Sequence, residues 1–305
     1  MFTSKTSVII PTRNREYLLL RLLKFFKKNK LKFSEILVID SSDESSKKKV
    51  KLICSKYPVK LFHSKPSTSK QRNIGLAKRN KNNKYIFLLD DDIKFFKNTI
   101  KIINFYINKY RNDDLISGFS FNMIGVKPKQ NFIDSIKTSR AFNFLNLYSS
   151  EPGKVMLSGW HTKILNLKEN IFADWGTSNS IILKSKFVKK MRFAMNFGRY
   201  SYLEDLDFTI TLNKKNKKIF IPYMAKVFNL KDIERNSFGF GIKEIFNRFL
   251  IVKKHKLNLY FFFICSFLKL SNSFLSFLRG NYISLHRCLG NLVGIFKSFL
   301  SLLIN

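Results

Sequence analysis

Val8, Ile9 and Ile10 form an unbroken apolar run, which predicts a short buried strand stopped by Pro11. Leu18, Leu19, Leu22, Leu23 and Phe26 then recur at helical spacing, so residues 15–30 are expected to form a helix. Glu35-Ile-Leu-Val-Ile-Asp40 returns to a strand pattern and ends in a carboxylate, with Ser41-Ser42-Asp43 as its turn. Residues 44–56 read as a basic helix, 59–62 as a strand, 69–78 as a helix and 85–89 as a fourth strand running into Asp90-Asp91-Asp92. Strands that alternate with helices predict an α/β domain with a mostly parallel sheet. Ligands of such sheets bind beyond the carboxyl ends of the strands. Thr12-Arg13-Asn14, Asp40 and the acidic triplet would converge there, so a site combining carboxylates with basic groups is expected.

Further on, the alternation of Phe119, Phe121 and Met123 suggests a strand, while 127–170 looks irregular, with a Pro152-Gly153 turn. A polar loop over 173–179 leads into a strand at 180–183, a helix over 203–214 opens with Glu204-Asp205, and 219–221 reads as a last short strand. The domain boundary is placed near Leu230, giving an α/β domain over 1–230 and a helical tail over 231–305. In the tail, 257–268 is apolar except for Asn258 and Ser266, and Lys269 interrupts it. Such a run is short of the roughly 20 residues that cross a bilayer. A second apolar run, 292–304, is broken by Lys297. The expected arrangement is helices lying in a membrane interface. A tilted hairpin entering the membrane and an extra helical layer on the domain are the alternatives.

Composition narrows the function classes. A chain of 305 residues that is 45% hydrophobic is not disordered, and 12 Gly with 6 Pro exclude a collagen-like or low-complexity protein. Cys54, Cys265 and Cys288 lie too far apart for a disulfide framework or a metal cluster, which points to a reducing compartment. No apolar leader core precedes Val8, so the catalytic part is expected to face the cytoplasm. With 56 Lys and Arg against 20 Asp and Glu, the net charge is +36. That charge invites a nucleic-acid partner, yet no RNA-binding or helix-turn-helix signature appears, and a Lys-, Asn-, Phe- and Ile-rich composition explains it equally well. Anionic lipid is the more specific partner. The 61 residues after Glu244 contain no Asp or Glu but eight Lys or Arg, set between Phe-rich apolar runs.

Three adjacent carboxylates repel one another unless a cation sits among them. Asp90, Asp91 and Asp92 therefore suit Mg2+ or Mn2+, hard ions often held by one or two carboxylates plus substrate phosphates; an acidic cap on the next helix is the other reading. Glu204-Asp205 offers a general base with an orienting partner, or else a first-turn carboxylate pair. Asp40 is placed to grip a ribose or base, or serves only its turn. Arg72-Asn73 either meets phosphate or base, or opens a solvated helix. His63, His161, His255 and His286 show no metal spacing and read as structural. No Walker loop, Gly-rich dinucleotide loop or Gly-x-Ser-x-Gly elbow is present.

Five runs, in order and in register, resemble a family 2 glycosyltransferase of the GT-A fold. They are Val8-Ile-Ile-Pro-Thr-Arg-Asn14, Ile36-Leu-Val-Ile-Asp40, Arg72-Asn73-x-Gly75, Phe87-Leu-Leu-Asp-Asp-Asp92 and Tyr202-Leu-Glu-Asp-Leu-Asp-Phe208, spanning residues 7 to about 230. The resemblance implies that Pro11, Thr12 and Arg13 line the donor nucleotide, that Asp40 holds its base or ribose, and that Arg72 is a basic nucleotide contact. It makes Asp90 and Asp92 the ends of the DXD element, with Asp92 on the metal and Asp90 on the ribose or the metal's water shell; Asp91 is its middle position. Glu204-Asp205 matches the ED pair, whose Asp is usually the base. Trp175, Gly176, Thr177 and Asn179 match the stretch that meets donor sugar and acceptor. The chain departs from the family at Asn229, where many relatives carry a metal-binding His after the last strand. It also lacks the Gln-x-x-Arg-Trp element of processive synthases.

The implied activity is metal-dependent, inverting transfer of a hexosyl or deoxyhexosyl group from a nucleotide-diphosphate sugar to a glycan or lipid-linked acceptor. The setting is bacterial surface-polysaccharide synthesis, similar to rhamnosyltransferases, with the enzyme peripheral on the inner face of the cell membrane and no nucleic acid as partner. Three alternatives remain at this stage. A nucleotidyltransferase would need a Gly-rich phosphate loop, and Pro11-Thr-Arg-Asn-Arg15 has no Gly. A non-catalytic basic nucleic-acid binder leaves the triplet unexplained. The last is an inactive family member serving as a membrane scaffold.

Overall fold

The computed structural model describes residues 2–125, 139–198, 201–230 and 237–304. The chain forms two compact units, Met1–Gly125 with Ile164–Lys231, and Val126–Lys163 with Asp232–Asn305. One passage between them falls beside Leu230, where the sequence pattern changes. The other two, after Gly125 and after Lys163, leave no trace in a stretch without periodicity, of which 126–138 lies outside the described residues.

The first unit is built on strands β1 (Thr6–Thr12), β2 (Glu35–Asp40), β3 (Lys60–His63), β4 (Tyr85–Leu89), β6 (Ile116–Ser120), β8 (Ile171–Ala173), β9 (Ser180–Lys184) and β10 (Lys218–Ile221), in the order β3-β2-β1-β4-β9-β6-β10-β8. β1 runs parallel to β2 and β4, β2 to β3, and β6 to β10, while β9 is antiparallel to β4 and β6, and β8 to β10. Helices α1 (Glu16–Lys28), α2 (Glu44–Cys54), α3 (Thr68–Lys78) and α4 (Thr99–Lys109) follow β1, β2, β3 and the β4 region in turn. Every residue of β1, β2 and β4 is buried, the signature of parallel strands covered on both faces. A Cβ on Gly75 would lie 2.3 Å from Ile9 Cγ2, so this glycine lets α3 press against β1.

Pro11 does not stop β1, contrary to the expectation from sequence. It pairs in register with Ile39, while β4 pairs only with Thr6 to Ile9, so the missing proline N–H costs no bond to β4. The alternating Phe119, Phe121 and Met123 do not share one strand either. Beyond β6 the chain crosses to β7 (Asn122–Ile124) in a separate three-stranded sheet, ordered β5 (Ile93–Phe95), β11 (Lys226–Asn229), β7. Buried Asn122 fixes that switch: its amide donates to the Leu167 and Tyr223 carbonyls at 3.1 and 2.7 Å and accepts the Leu167 N–H at 2.8 Å. The strand at 219–221 is therefore not the last one; β11 follows, and Asn229 is its final residue. Helix α5 (Glu204–Asn213) matches its predicted start.

The second unit gathers α6 (Phe238–Lys254), α7 (Leu259–Leu278) and α8 (Ile283–Leu303). Leu147 and Trp160 join Ile245, Phe249, Val252, Phe262, Cys265 and Ile295 in its core. Arg248 lies 4.4 Å from the centre of the Trp160 ring and donates to the Gly159 carbonyl at 2.9 Å. α6 and α8 approach to backbone contact, since a Cβ on Gly290 would lie 2.1 Å from the Phe238 carbonyl oxygen.

Glu244 on α6 accepts two bonds from Arg287, at 2.9 and 2.8 Å, and lies 3.5 Å from Lys269 Nζ. Burial alone would raise its carboxyl, but Lys269 and Arg287 outweigh it and hold the pKa at about 2. A depressed carboxylate contributes stability that is present above its unfolded value near 4.5 and is lost as pH falls through about 2. Acidification across that window should cost the wild type about 3 kcal/mol. Circular dichroism melts at pH 5 and 2.5 should show a drop in midpoint that Glu244→Gln largely abolishes.

Candidate active site

The first unit brings the predicted acids together through arginines. Thr12, at the end of β1, donates from Oγ1 to Asp91 Oδ2 at 2.6 Å. Arg15 Nη1, just before α1, lies 3.3 Å from Asp91 Oδ1 and 3.1 Å from Asp92 Oδ2. Arg21 on α1 donates to the carbonyls of Asp91 and Ile93 at 3.1 and 2.7 Å. These two arginines were not singled out from the sequence. Between them they cradle an acidic turn that would otherwise repel itself.

Asp92 keeps one buried oxygen, Oδ1, with no partner. Burial, then Asp90, pushes its pKa to about 6 against the pull of Arg15. Asp91 is pushed to about 7, also chiefly by burial. Asp91 thus faces inward to Thr12 and Arg15, and the Thr12 hydroxyl is occupied by it; both serve the shape of the turn.

Asp90 is partly exposed and accepts from Arg72 Nη2 at 2.8 Å, while its N–H donates to the Asn179 carbonyl at 2.8 Å. Arg72 Nη1 also binds Glu204 Oε1. A single buried guanidinium on α3 thus ties the triplet to the Glu204-Asp205 pair, which lies 132 residues beyond Arg72 in sequence. The guanidinium sits 5.6 Å from the centre of the Phe193 ring, which stacks on Phe208 at 4.2 Å. Asn73 holds that segment by two bonds to the Phe193 backbone, both 2.8 Å. Leu203, just before the pair, is held at φ +74°, a conformation costing a non-glycine residue on the order of 1–3 kcal/mol and common at functional sites. Burial drives Glu204 and Asp205 upward in pKa, with Arg72 opposing. Glu204 is buried against the arginine, whereas Asp205 is partly exposed and accepts the Leu206 N–H at 2.8 Å.

Asp40, expected to grip a base or ribose or to serve only its turn, keeps one buried oxygen, Oδ2, without a hydrogen-bond partner. It is fully buried, and Oδ1 accepts from the Ser42 N–H and hydroxyl at 2.9 and 2.5 Å. Its Oδ2 lies 3.5 Å from His63 Nδ1. Arg13 reaches Asp43 at 3.4 Å, and Asn14 exchanges bonds with Asp43 and Ser42, stitching the β1 loop to the β2 loop. Gln71, not anticipated, donates to the carbonyls of Thr12 and Ile39 at 2.9 and 2.7 Å and clamps the two strand ends. Trp175 is buried, Gly176 N–H lies 3.4 Å from Thr209 Oγ1, and Asn179 Oδ1 accepts from Thr177 and Ser180 at 2.7 and 3.0 Å. Asn229 pairs with Ile93, and the following Leu230 N–H binds the Asp92 carbonyl at 3.0 Å, which brings position 229 beside the triplet.

Among the described residues no group of three His, Cys, Asp or Glu could hold a metal ion by itself. Two carboxylates and a substrate phosphate form the usual alternative for a hard cation, and the unpartnered Asp92 Oδ1 fits it.

A family model described as Glycosyl transferase family 2 matches residues 7–164, half of the chain and four of the five runs. The chain belongs to this family. An uncharacterized glycosyltransferase of Rickettsia conorii is 33% identical over 135 residues, covering 44% of this chain and 21% of that protein. The family 2 chain described here thus spans about a fifth of that curated relative's length. Among solved structures, the mannosyltransferase PcManGT of Pyrobaculum calidifontis, in complex with GDP-mannose and Mn2+, gives a TM-score of 0.53 at 14% identity, over 97% of this chain and 75% of that one. GalNAc-T7, with UDP, GalNAc and Mn2+, gives 0.55 at 14% identity, over 81% and 47%. These likenesses establish the GT-A fold of this family 2 member.

Proposed function

We propose that the protein is an inverting glycosyltransferase that moves a hexosyl or deoxyhexosyl group from a nucleotide-diphosphate sugar to a hydroxyl of a glycan or lipid-linked acceptor. The observation that carries this reading is the Asp90–Arg72–Glu204 bridge, which sets a partly exposed acid, Asp205, beside the acidic turn. Asp205 removes the acceptor's proton. The freed oxygen attacks the anomeric carbon from the face opposite the diphosphate, so that one C–O bond forms as the other breaks and configuration inverts. Asp205 must be ionised to act, and Glu204, neutralised by Arg72, keeps its own charge from competing for the proton. Asp92 and Asp90 would hold Mn2+ or Mg2+, which when bound supplies positive charge for the leaving diphosphate. Pro11, Thr12 and Arg13 shape the nucleotide end, with Asp40 bracing the neighbouring turn; Trp175, Gly176, Thr177 and Asn179 shape the sugar end. Mn2+ with GDP-mannose in one solved neighbour, and with UDP and GalNAc in the other, supports the donor class and the cation. Three buried free cysteines suit a reducing compartment, and surface-polysaccharide synthesis is the setting we favour.

A donor panel measured by calorimetry with and without Mn2+ tests the reading. Wild type should bind one sugar nucleotide in a metal-dependent way, and Asp92→Ala should lose at least tenfold in that affinity. Failure to bind any donor, with tight salt-sensitive binding to nucleic acid instead, would refute it.

A further inference from the structure

The polarity of α7 and α8 is inverted. Beside Phe262, Cys265 and Ile295, their packed faces carry small and polar residues: Ser266, Ser273, Ser284, Asn291 and Ser298 are all buried. Asn291 donates to Ser273 Oγ at 3.1 Å, and Ser266 and Ser298 bond back to the carbonyls of Phe262 and Gly294 at 2.8 Å. Their outward faces carry Phe267, Phe274 and Leu278 on α7, and Leu292, Phe296 and Leu303 on α8. The contrast on one helix is sharp: Asn291 is 0% exposed and Phe296 is 63% exposed. In water an amphipathic helix does the reverse. Small residues and hydrogen-bonding side chains between helices, with large apolar ones outside, are the arrangement of helices packed in lipid.

Two charges of the hairpin, Lys269 and Arg287, follow the same logic, while Lys297 on α8 stays exposed. Lys269, which interrupts the apolar run in sequence, sits in the helix interior facing Glu244, and Arg287 pairs with the same carboxylate. The apolar run is therefore not cut short at 12 residues, as expected from sequence: α7 continues through Lys269 to 20 residues with a mean hydropathy of 1.6, and among the described residues it is the one helix long and apolar enough to cross a membrane. At about 1.5 Å per residue it is about 30 Å long, the thickness of a bilayer's hydrocarbon. Exposed Lys256 and Tyr260 lie at one end, and exposed Arg279 and Tyr282 at the other. Basic and aromatic side chains at both ends match the two polar boundaries of a membrane with anionic lipids.

We infer that the α7–α8 hairpin is embedded in the hydrocarbon of an anionic bilayer, with its outward face against acyl chains. A second copy of the chain would also cover that face, but it would give no reason for the polar seam inside or for the absence of acid after Glu244.

Full-length Phe296→Trp and Phe267→Trp proteins, reconstituted in phosphatidylcholine–phosphatidylglycerol vesicles carrying acyl-chain bromine, provide the test. Emission from each added tryptophan, by difference from wild type, should be blue-shifted and quenched at least twofold, unchanged in 1 M NaCl. Leu292→Asp, with helicity intact by circular dichroism, should lower the vesicle-bound fraction by on the order of a hundredfold. Unquenched tryptophans, release of the protein by salt, or a two-chain particle of constant mass in detergent-free buffer would each overturn the inference.

Discussion

Asp205→Asn should lower kcat by about 10²–10⁴-fold, the range in which general bases contribute, and leave donor affinity nearly unchanged. The amide keeps the shape and can still accept the Leu206 N–H through Oδ1, so the helix start is preserved. What is lost is a site for the proton, a contribution made only in the transition state, so kcat and kcat/KM should fall together. The pH profile sharpens the test. Burial raises the Asp205 carboxyl above its usual value near 3.8, and the base works only when ionised. Wild-type activity should therefore decline as pH falls through a value above the usual Asp range, and that acid limb should vanish in the variant. Glu204→Gln should retain more activity than Asp205→Asn. A reversed order, with Asp205→Asn near wild type, would remove Asp205 from the chemistry.

Arg72→Met should be the most destabilising single change in the first unit. Removing one partner of a buried ion pair costs about 3–5 kcal/mol because the other charge is left uncompensated, and here Asp90 and Glu204 lose the same partner. The sign of the pH dependence follows. Without Arg72, burial drives Glu204 further above its unfolded value near 4.5. A raised carboxyl contributes stability present below the unfolded value and lost as pH rises through the raised one. The variant should thus melt far below wild type at pH 8 and closer to it at pH 5. Arg72→Lys should recover only part, because a point charge cannot fork to two carboxylates as a guanidinium does. Equal melting of Arg72→Lys and wild type would show that charge alone matters, and the bridge would lose its special role.

The strands beneath the site were legible because buried parallel strands are apolar throughout: Ile9 and Ile10, Ile36 to Ile39 and Ile86 to Leu89 have no polar face to hide. The helices between them were legible from spacing, as in Leu18, Leu19, Leu22, Leu23 and Phe26. The three-residue strands β5 and β7 were not, since so short a run carries no period. Nor was the grouping of Trp160 with Phe249 and Phe262, because contact across 89 and 102 residues leaves no local mark. Pro11 was misread because a local rule about strands ignores how far the neighbouring strand extends.

The candidate site divides along the same line. By itself the sequence determined which acids stand at strand and helix ends, Asp40, Asp90, Asp91, Asp92, Glu204 and Asp205, because their positions follow from apolar runs that end beside them. It also determined the basic, acid-free tail. Only the tertiary structure decided how each acid is held: Asp91 turned inward to Thr12, Asp40 bonded to its own turn through one oxygen, Asp92 left with an open oxygen, and Asp90 joined to Glu204 through Arg72. It likewise decided that Lys269 faces Glu244, which takes its charge off the outer surface of α7. The reason is physical. Burial and partner choice set the charge and direction of an ionisable side chain, and both depend on residues distant in the chain.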